Sequence, residues 1–264
     1  MIKAGYQDPI IKDGDEHFGD GRLGDVAQNP SGDWTTYLPT DTDQLQNEMG
    51  YETDSCVSQS ILHVIETLAR QQFSDTSEYS VRFLATVTGT GQKGGNDAGT
   101  VASALESGGC VLESDWPFQA ATYQDFYTQP PQNLIKLAKA QFVDYSVGSS
   151  WLVNPTPAMM LSALRFSPLS LGVFAWPEPD ANGIYQNVPG AQPCHQIEVY
   201  NAVPNEYWLI WDSYLQQSKK LAWDYQFFTG KRFTLNKTIA TTPNPNGWLN
   251  MTVFIQFVRN LLGL

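Results

Sequence analysis

The stretch ETDSCVSQSILHVIETLA, residues 52–69, decides how the rest of the chain is read. Val57, Ile61, Leu62, Ile65, Leu68 and Ala69 recur at intervals of three and four, the period of a helix with one face in a core. The residues ahead of them, Glu52-Thr53-Asp54-Ser55, are polar, and Asp54 or Ser55 is of the right type to cap the first turn. Cys56 is therefore expected at the helix N-terminus. Unpaired N–H groups and the helix dipole favour negative charge there, and a thiol is a good nucleophile only as thiolate. The competing reading is a small buried apolar residue, a common fate of free cysteine.

The chain has three cysteines and three histidines, so candidate partners for Cys56 are few. Cys110 follows Gly108-Gly109 and leads into Val111-Leu112, and it reads as a core residue. Cys194 abuts His195 and reads as structural on the same ground. His17 lies among Asp13, Asp15 and Glu16, a solvated setting with weak metal binding as a remote alternative. His63 is on the Cys56 helix but about 10 Å away by helical rise, too far to touch the sulfur, and is expected to pack or cap. His195 heads the alternating segment His195-Gln196-Ile197-Glu198-Val199-Tyr200, which predicts a strand. A histidine on a strand is held rigidly, as a general base must be.

Spacing links these residues. His195 lies 139 residues beyond Cys56, and Asp212 lies 17 beyond His195. The second interval holds a strand through Val203, a turn at Pro204-Asn205 and a second strand, Tyr207–Trp211. A hairpin returns its far end near its start, so Asp212 is expected to reach the imidazole and fix its tautomer. Cysteine, histidine and acid then form a nucleophile–base–orienter set.

Working outward, residues 1–33 are rich in Gly and Asp and predict an extended arm, followed by loop to Gly50. Asp97 precedes a helix over Ala98–Glu106 that Gly108-Gly109 would end. A third helix is expected over Asn133–Ala140, and a fourth opens at Thr156-Pro157 and runs to Arg165. Strands follow at Leu169–Trp176, Gln196–Val203, Tyr207–Trp211, Leu221–Phe228 and Arg232–Leu235. This is an α+β order: a helical lobe over about 50–140, a β lobe over about 141–248 and an apolar C-terminal segment, 249–264. That segment is too short to span a bilayer. It reads as packing on the core, as a partner interface, or as a point inside a longer polypeptide.

Composition narrows the function. Apolar residues make up 42% of the 264-residue chain, enough for a substantial core. A net charge of −12 argues against nucleic acid and anionic membranes, which both need basic patches. An odd, small cysteine count fits a reducing compartment better than a disulfide framework. The opening MIKAGYQDPIIKDGDEHFGDG has no apolar core of signal-peptide length, so a cytoplasmic or virion-associated place is expected. No metal-ligand cluster, phosphate loop or cofactor motif is visible, and no cofactor is expected.

At these residues the chain resembles the papain-like cysteine peptidases, over residues 34 to about 214. Ser55-Cys56, entering an apolar helix, is similar to the nucleophile segment. Gly94-Gly95, 38 and 39 residues after Cys56, resemble the glycine pair lining the substrate cleft, where backbone pairs with an extended peptide. Ala104-Leu105-Glu106-Ser107-Gly108-Gly109, Leu112-Glu113 and Trp116-Pro117-Phe118 follow in the family's order. So do Pro168-Leu169-Ser170-Leu171-Gly172-Val173, Gly183-Ile184-Tyr185, and Tyr207-Trp208-Leu209-Ile210-Trp211-Asp212-Ser213-Tyr214. The resemblance implies a two-lobe α+β fold with the cleft between a helical and an antiparallel β lobe. It also implies peptide-bond hydrolysis by Cys56, His195 and Asp212. The departures are specific. Asp212 replaces an asparagine, Val57 a tryptophan, and Tyr214 the tryptophan that shields the orienter. The oxyanion-hole glutamine would fall on Gly50. Gln46 or Gln44 could replace it from a longer loop, beside the Cys56 N–H. No large zymogen domain is expected; the arm could instead cover the cleft or bind a partner.

Three readings stay open. The first is a thiol peptidase acting on a peptide or protein substrate. The second is a papain-like module without catalysis, serving a larger assembly through the arm or the C-terminal apolar segment. The third is a Cys-His-Asp amidase or transglutaminase-like acyl transferase.

Overall fold

Helix α1 (Cys56–Phe73) is buried from Cys56 through Ala69, although its sequence shows an apolar stripe on one side only. It is covered by helices on one side and by the sheet on the other. Several of its polar residues are matched with partners. Ser60 pairs with Ser170 at 2.7 Å, the Gln59 amide donates to the Gln44 carbonyl at 2.8 Å, and Glu66 accepts the Tyr79 N–H at 2.7 Å. Burying such groups unpaired would cost about 1–3 kcal/mol each. The computed structural model describes residues 5–21, 26–39, 44–214 and 218–237. The apolar segment expected over 249–264 lies outside the described residues.

The remaining elements are α2 (Val81–Val87), α3 (Thr90–Lys93), α4 (Ala98–Gly108), α5 (Tyr123–Phe126), α6 (Gln132–Gln141), β1 (Tyr145–Leu152), α7 (Pro157–Leu164), β2 (Leu169–Val173), β3 (Ile184–Tyr185), β4 (His195–Val203), β5 (Tyr207–Trp211), β6 (Ser218–Ala222) and β7 (Phe227–Lys237). The α+β order is as expected. Asp97 caps α4 by accepting from the Gly99 and Thr100 N–H groups, and Thr156 caps α7 with Pro157 in its first turn. The sheet runs β1-β7-β2-β4-β5-β6-β3, antiparallel except for the β3–β6 pair.

Two strand expectations are corrected. Leu221–Phe228 is not one strand: the chain turns after Ala222, whose carbonyl accepts the Tyr225 N–H at 2.9 Å. The apolar run continues across that turn because Trp223 stacks on Trp208, with ring centroids 4.5 Å apart. β7 begins at Phe227 and continues through Gly230, where its register with β2 shifts. The expected strand Leu169–Trp176 also ends early, at Val173. Phe174 to Trp176 leave the sheet, and this places Trp176 against the site.

Candidate active site

Cys56 is the first residue of α1, but neither Asp54 nor Ser55 caps it. Both brace the preceding turn instead. The Ser55 hydroxyl lies 2.7 Å from that of Thr53, which donates to the Gln46 carbonyl at 3.0 Å. Asp54 is left-handed at φ 55°, its N–H held by Glu52 at 3.0 Å. The thiol is fully buried and accepts a hydrogen bond from the Gln196 N–H, next to His195. Burial pushes the thiol well above its ordinary value. The Gln196 N–H works the other way, and the carboxylates of Glu52, Asp54 and Asp212 add to the rise.

His195 opens β4, and α1 packs on that strand. The imidazole is buried, with Nε2 2.7 Å from Asp212 Oδ1. A carboxylate only accepts, so Nε2 carries the proton in neutral imidazole. Nδ1 is then the basic nitrogen, and it is buried with no hydrogen-bond partner among the described residues. Asp212 follows β5 directly. Its second oxygen, Oδ2, accepts from Lys219 Nζ at 2.6 Å and from Trp176 Nε1 at 2.8 Å. Burial works against this carboxylate, but His195 and Lys219 outweigh it and hold Asp212 below the usual range.

Trp176 also meets His195 edge to face, with centroids 5.9 Å apart. Tyr214, expected as the aromatic shield, lies 5.3 Å from the His195 ring and gives its hydroxyl to Glu52 at 2.6 Å. The two aromatics therefore divide the role: Trp176 bonds Asp212, and Tyr214 packs on His195.

The two glutamines separate clearly. Gln46 is buried beside Asp212. Its N–H donates to the Ser213 carbonyl at 2.9 Å, and its Oε1 accepts from the Ser213 hydroxyl at 3.0 Å. Gln44 is used elsewhere, donating to Glu78 and to the Tyr79 carbonyl at 3.1 Å each and accepting the Val81 N–H at 2.9 Å. His63 packs, as expected: it stacks on Trp211 with centroids 3.9 Å apart and pairs through Nδ1 with Glu198.

The N-terminal arm lies against the loop that leads into Cys56. The Asn96 N–H donates to the Gly5 carbonyl at 2.8 Å, and the Gln7 N–H to the Asn96 carbonyl at 2.8 Å, a parallel bridge beside Gly94-Gly95. The fit has no spare room. A Cβ on Gly95 would stand 2.3 Å from the Gly5 carbonyl oxygen, and one on Gly5 2.2 Å from that of Asp54. The Tyr6 ring covers Gly172 of β2, where a Cβ would stand 2.9 Å away. The Tyr6 hydroxyl reaches the Thr229 carbonyl at 3.4 Å. Residues 5–7 thus touch both lobes beside Cys56.

This fold is that of the papain-like cysteine proteases. Among solved structures it is similar to the proform of Amb a 11, a ragweed pollen cysteine protease and allergen, at TM-score 0.57 and 15% identity, over 78% of this chain and 65% of that one. It is also similar to procathepsin L 3 of the Tenebrio molitor larval midgut, at TM-score 0.52 and 15% identity, over 82% and 70% of the two chains. A structure concerning the mite allergens Blo t 1 and Der p 1 matches at TM-score 0.55 and 15% identity, over 82% and 74%. The chain thus spans just under two thirds of the ragweed protein's length. No family model matches the sequence, and no curated protein sequence matches it.

Sequence reasoning missed Trp176, Lys219 and Tyr6. Lys219 carried a signal: in the strand Ser218–Ala222 it alternates with Lys220, so one of two adjacent lysines had to face inward. Tyr6 carried none.

Proposed function

We propose that the chain is a cysteine peptidase with Cys56 as nucleophile, His195 as general base and acid, and Asp212 as orienter. The observation that supports this best is the imidazole: buried, fixed by Asp212 through Nε2, left with Nδ1 unpaired among the described residues, and followed directly by Gln196, whose backbone acts on the helix-tip thiol of Cys56. In this reading Nδ1 takes the Cys56 proton, and the sulfur attacks the peptide carbonyl. The imidazolium then protonates the departing amine. Water, deprotonated by His195, releases the acyl group and restores the thiol. Gln46 and the Cys56 N–H would stabilise the oxyanion.

A second reading is favoured by one observation, the complete burial of Cys56, with the arm docked on the loop that precedes it. There the chain is a papain-like binding module whose thiol never reacts. Peptide-library hydrolysis and iodoacetamide labelling against pH separate the two, measured in the Gly5→Ala protein to open the cleft. The peptidase reading expects cleavage that Cys56→Ala abolishes, and Cys56 labelling below pH 8 that His195→Ala slows. No cleavage, with labelling that follows an ordinary thiol and ignores His195, establishes the binding module.

A further inference from the structure

An aspartate in the orienter position brings a difficulty that asparagine does not. A buried carboxylate against an imidazole favours the imidazolium strongly. A base that holds its proton too firmly is a poor acid for the leaving amine. Asp212 is completely buried, so water does little to screen it. Lys219 is the counterpart. Its Nζ lies 2.6 Å from Oδ2, and it is itself only 6% exposed.

The register puts it there. Lys219 pairs with Ile210 across β5 and β6, and Asp212 is two residues beyond Ile210, so the two side chains are diagonal neighbours on one face. Trp176 closes the arrangement. Its N–H donates to the same oxygen, and its ring lies 5.6 Å from Lys219 Nζ.

We infer that Lys219 is a positioning residue that cancels the charge of Asp212, so that the acidic orienter acts on His195 as a neutral acceptor would. This rests on the reading of Cys56 and His195 as the reacting pair. One carboxylate oxygen fixes the imidazole, and the other is neutralised by an ammonium on the neighbouring strand. Among the described residues, the charges that hold the carboxylate down come from His195 and Lys219. Cys56, Tyr185 and Tyr214 feel the Asp212 charge, and Glu52 and Asp54 add negative charge at Cys56.

The test is the pH titration of the His195 imidazole, followed by NMR of histidine-labelled protein with His17 and His63 as references. Wild type is compared with Lys219→Met, Asp212→Asn, the double variant and Lys219→Arg. Lys219→Met is expected to raise the midpoint by about 1 pH unit and Asp212→Asn to lower it by a similar amount. The double variant should return near wild type, and Lys219→Arg should keep the wild-type midpoint. If Lys219→Met does not fold, the double variant measured against Asp212→Asn decides, because losing Lys219 there must still raise the midpoint. Midpoints indifferent to Lys219 overturn the inference, even where peptide hydrolysis is observed. Ordered midpoints in a protein that cleaves no peptide uphold the charge pairing and remove the peptidase reading.

Discussion

The Gly5 carbonyl accepts the N–H of Asn96 at 2.8 Å, one residue past the glycine pair and beside the loop that leads into Cys56. Gly5→Ala should release the arm, because the new Cβ would stand 2.2 Å from the Asp54 carbonyl oxygen at a φ of +84°. The cleft walls are unchanged by this substitution. Two backbone hydrogen bonds at about 1 kcal/mol each set the scale. Iodoacetamide labelling of Cys56 should rise about tenfold or more over wild type, and its pH profile should move downward as the sulfur gains water. Cys110, buried and pushed upward by burial, serves as an internal control. Unchanged labelling would remove the arm as the cover of the thiol.

In the peptidase reading, Gln46→Ala should separate the two halves of the chemistry. Alkylation by iodoacetamide builds no oxyanion, so Cys56 labelling in a released-arm protein should change little. Peptide hydrolysis should lose about two to three orders of magnitude in kcat. Equal losses in both assays would mean that Gln46 only braces Ser213 and the Thr53 turn.

Trp176→Phe keeps the ring against His195 and deletes one donor to Asp212. A hydrogen bond to a charged acceptor contributes about 1.5–3 kcal/mol, so a melting temperature lower by several degrees is expected. Calorimetry checks this, and the His195 midpoint should rise with it, because the carboxylate charge is less well met.

Glu66 makes stability depend on pH. Burial pushes its carboxyl up to about 8, against the favourable Tyr79 N–H, and Glu78 adds to the rise. The unfolded value is about 4.3. The folded state therefore binds the proton more tightly. Its contribution is complete below about pH 4.3 and is lost as pH rises through about 8. Glu66→Gln removes this titration and can still accept the Tyr79 N–H. Its melting temperature should gain on wild type between pH 5 and pH 9. A constant difference across that range would show that Glu66 does not titrate there.

Much of the architecture was legible because each signal was local. Asp97 and Thr156 announced their helices as caps, and Tyr207–Trp211 is the strand its apolar run predicts. The Cys56 helix was legible as a helix but not in its surroundings. Ser60 and Glu66 look like a solvated face until β2 and the Tyr79 segment cover them with partners. β1 went unseen because Ser146, Gly148, Ser149 and Ser150 lack strand propensity, and its pairing with β7 decides. At the site, His195 and Asp212 follow from hairpin arithmetic. Lys219, Trp176 and Tyr6 depend on contacts between distant segments, which no local pattern encodes.

In the peptidase reading the arm would belong to the same chain as the cleft it covers, and its occupancy would be a competition of a particular kind. A tethered segment faces its site at an effective concentration in the millimolar range, independent of how dilute the protein is. A peptide arriving from solution at micromolar levels must therefore bind far more tightly than the arm or find the site taken. Apparent affinity is reduced by the fraction of molecules whose site is vacant. An apparent KM measured on the intact chain would report the arm's hold as much as the fit of the substrate. Any molecule that grips residues 5–7 would raise turnover without entering the cleft.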